Sequence, residues 1–456
     1  MKTNMDKFDA IIIGFGKAGK TLATEFAKRE MEVAVIEQSD KMYGGTCINI
    51  GCIPTKTLVH QAKMASTNSN AGFDERAVFY RNAIKTKENV IEALRNKNYH
   101  LLADNPHIKV FHGKGSFMSD DTVCVTGTDG STLLQSGNII INTGSETVIP
   151  PIPGIGDNPY IHTSTSIMNL TSLPRQLIII GGGYIGLEFA SMYASFGSQV
   201  TVLESYPILI GREDRDIADC VKDTLEKKGV RFIMNAKVKS VDANTVIFDN
   251  SETGETVTLK SDAILLATGR RPFTDGLNLS AAGVETDERG AIKVDDRLIT
   301  TNPHIRAVGD VKGGLQFTYI SLDDFRIIRD DLFGEGQRTL SNRGPVAYSV
   351  FIDPPLARVG ISEDEARSKD MDVIVKKLPV MAIPRAKTLG ETEGMLKAII
   401  DKDSRQILGC TLFAPDASEV INIVTAAMKA GMDSTFLRDF IFTHPSMSEA
   451  LNDLFS

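Results

Sequence analysis

The sequence predicts an α/β fold. Two observations carry the prediction: a unit of buried strand, glycine turn, helix and second strand occurs twice, and each copy closes on a glutamate. In the first copy Asp9-Ala10-Ile11-Ile12-Ile13 reads as a strand buried on both faces, Gly14-Phe15-Gly16-Lys17-Ala18-Gly19 as a tight turn and residues 21–29 as a helix. The second strand is Val33-Ala34-Val35-Ile36, followed by Glu37. A glycine triplet alone is weak evidence. In this βαβ setting Gly14, Gly16 and Gly19 let backbone N–H groups at a helix start meet a pyrophosphate, and Glu37 accepts from ribose hydroxyls. The second copy runs from Gln176-Leu177-Ile178-Ile179-Ile180 through Gly181-Gly182-Gly183-Tyr184-Ile185-Gly186 and a helix reaching Ala194 to Gln199-Val200-Thr201-Val202-Leu203 and Glu204. Gly181, Gly183 and Gly186 repeat the spacing, so two Rossmann-like domains and two dinucleotides are expected. Glu204 would accept from a free 2′-hydroxyl and repel a 2′-phosphate, which favours NADH; Arg212, further along, keeps NADPH as the alternative.

Between the two copies lies a cysteine pair, in Gly44-Gly45-Thr46-Cys47-Ile48-Asn49-Ile50-Gly51-Cys52-Ile53-Pro54-Thr55-Lys56. Five residues of ideal helix rise roughly 7.5 Å and turn about 140°, whereas a disulfide wants Cα atoms about 4.4–6.8 Å apart. The segment must therefore bend. Gly51 supplies the freedom, and Pro54 lacks an N–H that a first helical turn would leave unsatisfied, so a helix is expected to begin around the cysteines and run through Ala62. A thiol at that positive helix end should ionise more easily. A redox dithiol beside a flavin site is the favoured reading. A metal pair or two buried thiols is the alternative, although structural zinc sites space cysteines more closely and need two further ligands, and no second Cys/His pair follows. Cys124 and Cys410 lie in strand-like runs and Cys220 beside a helical apolar stripe, so these three read as structural.

Two further turns read as returns to the first site: Asn142-Thr143-Gly144-Ser145 after the strand Ile139-Ile140-Ile141, and Ala267-Thr268-Gly269 after Ala263-Ile264-Leu265-Leu266. They mark domain crossings or are two ordinary turns. Pro150-Pro151-Ile152-Pro153-Gly154 reads as a stiff connector, and Ala307-Val308-Gly309-Asp310 as another strand end, with Asp310 placed for a flavin's ribityl chain. The chain is therefore expected to fill a first domain over residues 1–150, a second over 151–266, and to return to the first over 267–341.

At 456 residues with a formal charge of −8 and an isoelectric point near 5.5, the chain lacks the basic surface that nucleic acid or an anionic membrane would select. Small-molecule chemistry is favoured. No stretch of about 18 apolar residues occurs and no leader precedes the first strand, so a soluble, cytoplasmic protein is expected. Five cysteines in so long a chain do not make a secreted disulfide framework.

Taken together, five separate motifs resemble the class I pyridine nucleotide-disulfide oxidoreductases, the family of glutathione reductase, dihydrolipoamide dehydrogenase and mercuric reductase. The resemblance implies FAD in the first domain, NAD(P)H in the inserted one and an α+β dimerisation domain over residues 342–456. In that domain Asp353-Pro354-Pro355-Leu356-Ala357-Arg358-Val359-Gly360 resembles the family's first strand. It implies that Cys47 is the interchange thiol that meets substrate and that Cys52 is the thiol beside the flavin, the two alternating between disulfide and dithiol. Lys56 resembles the lysine beside flavin N5, Glu188 its ion-pair partner, and Tyr184 the side chain covering the flavin until nicotinamide arrives. Read without the family, Glu188 is a solvated helix acid and Tyr184 a packing aromatic. Gly45, Thr46, Thr143, Gly144, Ser145 and Gly269 complete the expected cofactor contacts, and no resident metal is expected.

Near the C-terminus Phe442-Thr443-His444-Pro445-Ser446-Met447-Ser448-Glu449 resembles the family's His-Pro-Thr-x-x-Glu element with Ser446 in place of Thr. There His444, oriented by Glu449, moves the interchange thiol's proton and comes from the partner subunit, which implies a homodimer. Ser446 and Glu449 also spell a capping box, a purely structural role for the acid. Residues 43–58 and 442–451 are most similar to bacterial reactive-chlorine-resistance flavoproteins and hypothiocyanous acid reductases. The implied activity is reduction of hypothiocyanous acid to thiocyanate in oxidant defence. The alternatives are a disulfide reductase of the lipoamide or glutathione type and a Cu(II) or mercuric-type metal-ion reductase. The C-terminal cysteine pair and N-terminal metal-binding extension of mercuric reductase are not seen. A non-catalytic flavin-binding protein would be expected to lose the cysteines or the His/Glu pair, and both are present.

Overall fold

The computed structural model describes residues 5–68, 70–128 and 130–456; the first four residues lie outside them. Residues up to 57, 84–148 and 269–343 form one compact unit, and residues 58–83, 149–268 and 344–456 a second.

The first unit is built on a five-stranded parallel sheet in the order Ile305–Ala307, Ile139–Ile141, Ala10–Ile13, Val33–Glu37, Ile108–His112. Both faces of its central strands are covered, so they read as unbroken apolar runs. Ala10, Ile12, Val33, Val35 and Ile140 face one core with Phe15, Leu22 and Phe26 of the first helix region. The alternate residues Ile11, Ile13, Ala34, Ile36, Ile139 and Ile141 face the other with Phe117, Val123, Val125 and Leu134. Those last four come from a second sheet, Met5–Lys7, Gly130–Gln135, Thr122–Gly127, Lys114–Phe117. The first helix spans Lys17–Ala27, not residues 21–29, because Gly16 already serves as its N-cap and the helix begins inside the glycine motif.

The second unit repeats the plan. Its parallel sheet runs Ile161–Thr163, Ala263–Leu266, Gln176–Ile180, Gln199–Leu203, Val230–Ile233, with the helix Tyr184–Phe196 after the glycine turn. An antiparallel three-stranded sheet covers one face through Val241, Val246 and Phe248. Its C-terminal part is an antiparallel sheet in the order Tyr348–Val350, Leu356–Gly360, Ile407–Phe413, Met395–Asp401, Val373–Pro379. The helix Ala417–Lys429 packs Val420, Ile421 and Val424 into that sheet's core, which also buries Cys410. Two Rossmann-like parallel sheets and a separate α+β C-terminal sheet are the predicted architecture. Among the described residues no helix is long and apolar enough to cross a membrane.

Candidate active site

A cleft opens in the first unit at the carboxyl ends of the parallel strands, where ligands bind in sheets of this kind. Its walls include Gly14, Gly16, Glu37, Gly45, Thr46, Cys47, Cys52, Thr143, Gly144, Ser145 and Asp310. The glycines are dictated by Asn142. A Cβ on Gly14, at φ +103°, would lie 2.4 Å from the Asn142 carbonyl oxygen, and one on Gly16 2.6 Å from Asn142 Oδ1. Gly19 is equally tight, and its N–H donates to Asn142 Oδ1 at 2.9 Å, while Asn142 Nδ2 donates to the Val308 carbonyl at 3.1 Å. One amide thus ties the glycine turn to the Gly309-Asp310 segment. That segment is held from behind by Asp324, whose Oδ2 accepts from the Gly309 N–H at 2.8 Å.

Glu37 is 8% exposed; its two carboxylate oxygens accept from the Phe15 and Ser39 N–H groups at 3.1 Å each. Burial pushes its carboxyl up to about 7. Asp310 accepts from Ser145 Oγ at 2.8 Å, and Arg270 donates to both the hydroxyl and the carbonyl of Ser145. The paired turns after residues 141 and 266 are more than ordinary turns: Ser145–Thr147 and Arg270–Pro272 form an antiparallel ribbon, and the Val148 N–H donates to the Gly269 carbonyl at 3.0 Å. A tight glycine turn at a helix start, a buried acid at the end of the next strand and Asp310, all in the wall of one cleft, fit an extended dinucleotide such as FAD.

The cysteine loop crosses this turn where Gly45, at φ +77°, brings its backbone so close that a Cβ would sit 2.7 Å from Gly16 Cα. Cys47 lies in the short helix Thr46–Asn49, the chain bends at Gly51, and Cys52 opens the helix Cys52–Ser66. All five cysteines are free thiols. The pair shares a proton unequally. The hydrogen bond from Cys47 stabilises the Cys52 thiolate and, helped by Thr318 and Lys56, draws Cys52 down to about 6; the same hydrogen bond and burial push Cys47 up. The shared hydrogen bond and the helix start thus favour the thiolate form at Cys52. Thr318 Oγ1 is 3.5 Å from Cys52 Sγ. Lys20, 8% exposed, donates to Asn98 Oδ1, and burial lowers it to about 8.

In the second unit a Cβ on Gly181 would meet the Ala267 carbonyl oxygen at 2.5 Å, and one on Gly186 the Gly181 carbonyl oxygen at 2.1 Å, whereas Gly183 has open space around it. Glu204 accepts from the Gly182 N–H at 2.7 Å and the Tyr206 N–H at 3.0 Å, the counterpart of Glu37. Tyr184 donates to Glu213 Oε1 at 2.5 Å, and Glu188 Oε1 accepts from the Phe351 N–H at 2.8 Å.

His444 and Glu449 are brought together: Nδ1 and Oε2 are 2.7 Å apart, with the ring 71% exposed. Half of the capping box forms, since Ser446 Oγ accepts from the Glu449 N–H at 3.3 Å. The Glu449 carboxylate turns to the histidine instead of returning to Ser446, and the last helix starts only at Ala450. Among the described residues no group of three or more His, Cys, Asp or Glu side chains could hold a metal ion. Asn142 as a side-chain tie, Thr318, Arg270, Lys20 and Glu213 escaped the sequence reading. Each acts through a partner distant in sequence and carries no local motif.

The pyridine nucleotide-disulphide oxidoreductase model matches residues 8–324, and the dimerisation-domain model of the same family residues 346–455. The chain is 52% identical over 453 residues to the probable pyridine nucleotide-disulfide oxidoreductase RclA of Escherichia coli K12, covering 99% of both chains. It is 33% identical to a mercuric reductase of Bacillus cereus, over 97% of this chain and 70% of that one. A solved structure described as the Cu(II) complex of the HOCl-induced flavoprotein disulfide reductase RclA from E. coli superposes with a TM-score of 0.92 at 51% identity, covering 99% of each chain.

Proposed function

Because the chain belongs to the pyridine nucleotide-disulphide oxidoreductases and is an FAD- and NAD(P)H-dependent enzyme of that family, we propose that it uses NADH to reduce hypothiocyanous acid to thiocyanate, as a cytoplasmic homodimer in oxidant defence. We assign residues 1–150 and 267–341 to FAD, 151–266 to NADH and 342–456 to the dimer. FAD, when bound, supplies the means of passing an electron pair from nicotinamide to sulfur. Gly14, Gly16, Gly19, Glu37 and Asp310 would hold it, with Lys56 and Glu188 as its charged neighbours and Tyr184 as the aromatic that yields to nicotinamide.

What supports the thiol chemistry is the placement of Cys47 and Cys52 on consecutive helix starts in the wall of one cleft, linked by a hydrogen bond that favours the Cys52 thiolate. With Cys47 held protonated, it stays inert until a base takes its proton. His444 suits that role, because Glu449 keeps the proton on Nδ1 and Nε2 then presents a lone pair. In this reading the partner's His444 accepts the Cys47 proton. The Cys47 thiolate then attacks the sulfur of hypothiocyanous acid, and hydroxide leaves and takes up a proton. The Cys52 thiolate next attacks Cys47 Sγ, expelling thiocyanate and closing the disulfide, so two electrons pass from the dithiol to the oxidant. The choice of acceptor rests on likeness to the HOCl-induced E. coli relative.

Copper(II) as acceptor is a second reading, favoured by the Cu(II) complex of that relative; Cys47 and Cys52 with the partner's His444 would be its available ligands. The test is steady-state NADH oxidation by the FAD-loaded protein with hypothiocyanous acid, lipoamide, glutathione disulfide, Cu(II) or no acceptor. Fast turnover confined to hypothiocyanous acid and lost in Cys47→Ser is expected. Preference for a disulfide, or a Cys47→Ser variant that still consumes the oxidant, would overturn the reading.

A further inference from the structure

Glu213 is a buried acid that no motif and no step above employs. It is 5% exposed and stands just before the helix Arg215–Lys227. Its Oε1 accepts two phenol hydroxyls at once, Tyr184 at 2.5 Å and Tyr348 at shorter range, and the two hydroxyls are themselves 3.3 Å apart. Tyr184 is the first residue of the helix that follows the second glycine turn. Tyr348 begins the first strand of the C-terminal sheet and is register-paired with Arg358 on the next strand. Arg358 in turn lies 3.6 Å from Glu213 Oε2 and is also bound by Glu365 and the Arg212 carbonyl.

We propose that Glu213 is a latch that holds the Tyr184 phenol in its resting position, so that nicotinamide binding must first break the Tyr184–Glu213 hydrogen bond. The inference rests on the assignment of Tyr184 as the side chain that yields to nicotinamide. Three features make the arrangement a latch rather than a permanent brace. The bond is charge-assisted, which raises the cost of opening above that of a neutral pair. Oε1 keeps Tyr348 when Tyr184 leaves, so the buried acid is not stranded. Oε2 has no hydrogen bond, and neither has Arg358 Nε, so acid and guanidinium retain hydrogen-bonding capacity with which to close on each other once the tyrosine has gone. Residues from the C-terminal sheet thereby set how readily the nucleotide half opens. A site that is competent for only a fraction of the time binds more weakly by that fraction.

The test is calorimetric NAD+ affinity on the oxidised, FAD-loaded enzyme, which involves no electron acceptor and so is independent of which oxidant the enzyme reduces. Glu213→Gln keeps the shape, and Arg358 retains Glu365, while the acceptor becomes neutral. The expected result is a dissociation constant lower by about tenfold. Tyr184→Phe should reproduce that gain, and the double variant should add nothing further, because both changes open one latch. Tyr348→Phe should act in the opposite direction and weaken NAD+ several-fold, since Tyr184 then has Oε1 to itself; it tests the latch even where Glu213→Gln fails to fold. Unchanged or weakened affinity in Glu213→Gln, independent gains that multiply in the double variant, or an unchanged or tighter Tyr348→Phe would overturn the latch. No effect of Tyr184→Phe would overturn the latch together with the role given to Tyr184.

Discussion

The two glycine-turn sites share one plan and differ in dryness. In the first, Asn142 presses against all three glycines and Glu37 is sealed to 8% exposure with its carboxyl near neutrality. In the second, Gly183 has open space, Glu204 is only half-buried, and Tyr206 and Ile208 beyond it are exposed. A closed, pre-shaped cradle suits a cofactor that stays, since its polar groups are already oriented and its ordering cost was met in folding. An open one suits a nucleotide that must arrive and leave each cycle.

The comparison breaks most visibly at the glycines. Gly14→Ala would drive a methyl into the Asn142 carbonyl at a backbone angle that side chains rarely adopt, so a loss of about 3 kcal/mol or more and failure to retain FAD are expected, by denaturant melts and flavin absorbance. Gly183→Ala, with ordinary φ of −73° and nothing near it, belongs at the other end of the scale.

Glu37→Gln tests the dryness itself. A carboxyl raised from 4.5 to about 7 binds its proton more tightly in the folded chain. The stability it contributes is therefore whole below about pH 4.5 and has been lost once the pH passes about 7. Glutamine removes that penalty, so the FAD-stripped variant should gain up to about 3 kcal/mol at pH 8 and nothing at pH 4.5, by urea titration at both values. FAD affinity should fall in the same variant. A gain that does not grow with pH would mean that Glu37 is not the dry group described.

At the open site Glu204→Ala should leave the melting temperature within a few degrees while raising the NADH dissociation constant about tenfold and that for NADPH little or not at all. An unchanged NADH preference would sink the reading of Glu204. The smallest effect is expected from Gly183→Ala, with folding stability within about 0.5 kcal/mol of the parent and NADH binding weakened only by crowding at the helix start. Equal stability losses from Gly14→Ala and Gly183→Ala would erase the distinction between the sites.

Much of the site was legible in the chain because its signals are local. Positive-φ glycines, an acid at a strand end, a thiol at a helix start and a histidine five residues before a glutamate each declare themselves within a short segment. The same locality explains why the Ser446–Glu449 signal was ambiguous: one spacing encodes a capping box and an oriented histidine, and only the position of His444 decided that the carboxylate turns outward. The placement of the thiolate was likewise beyond local reading. The helix start favours Cys52, but the hydrogen bond from Cys47 and the Thr318 hydroxyl, 266 residues away, complete the preference.

The sequence by itself determined the family, the doubled nucleotide fold, the dithiol and the acids that terminate the strands, since each depends on backbone conformation and short-range hydrogen bonds. Only the tertiary structure decided that Asn142 locks the first turn, that Glu37 is dry and Glu204 wet, that Cys52 bears the charge, and that Glu213 joins Tyr184 to Tyr348. Burial and electrostatics are set by side-chain contacts that the fold makes, and deciding partners such as Asn142 for Gly14 and Thr318 for Cys52 lie more than a hundred residues away, beyond any local window.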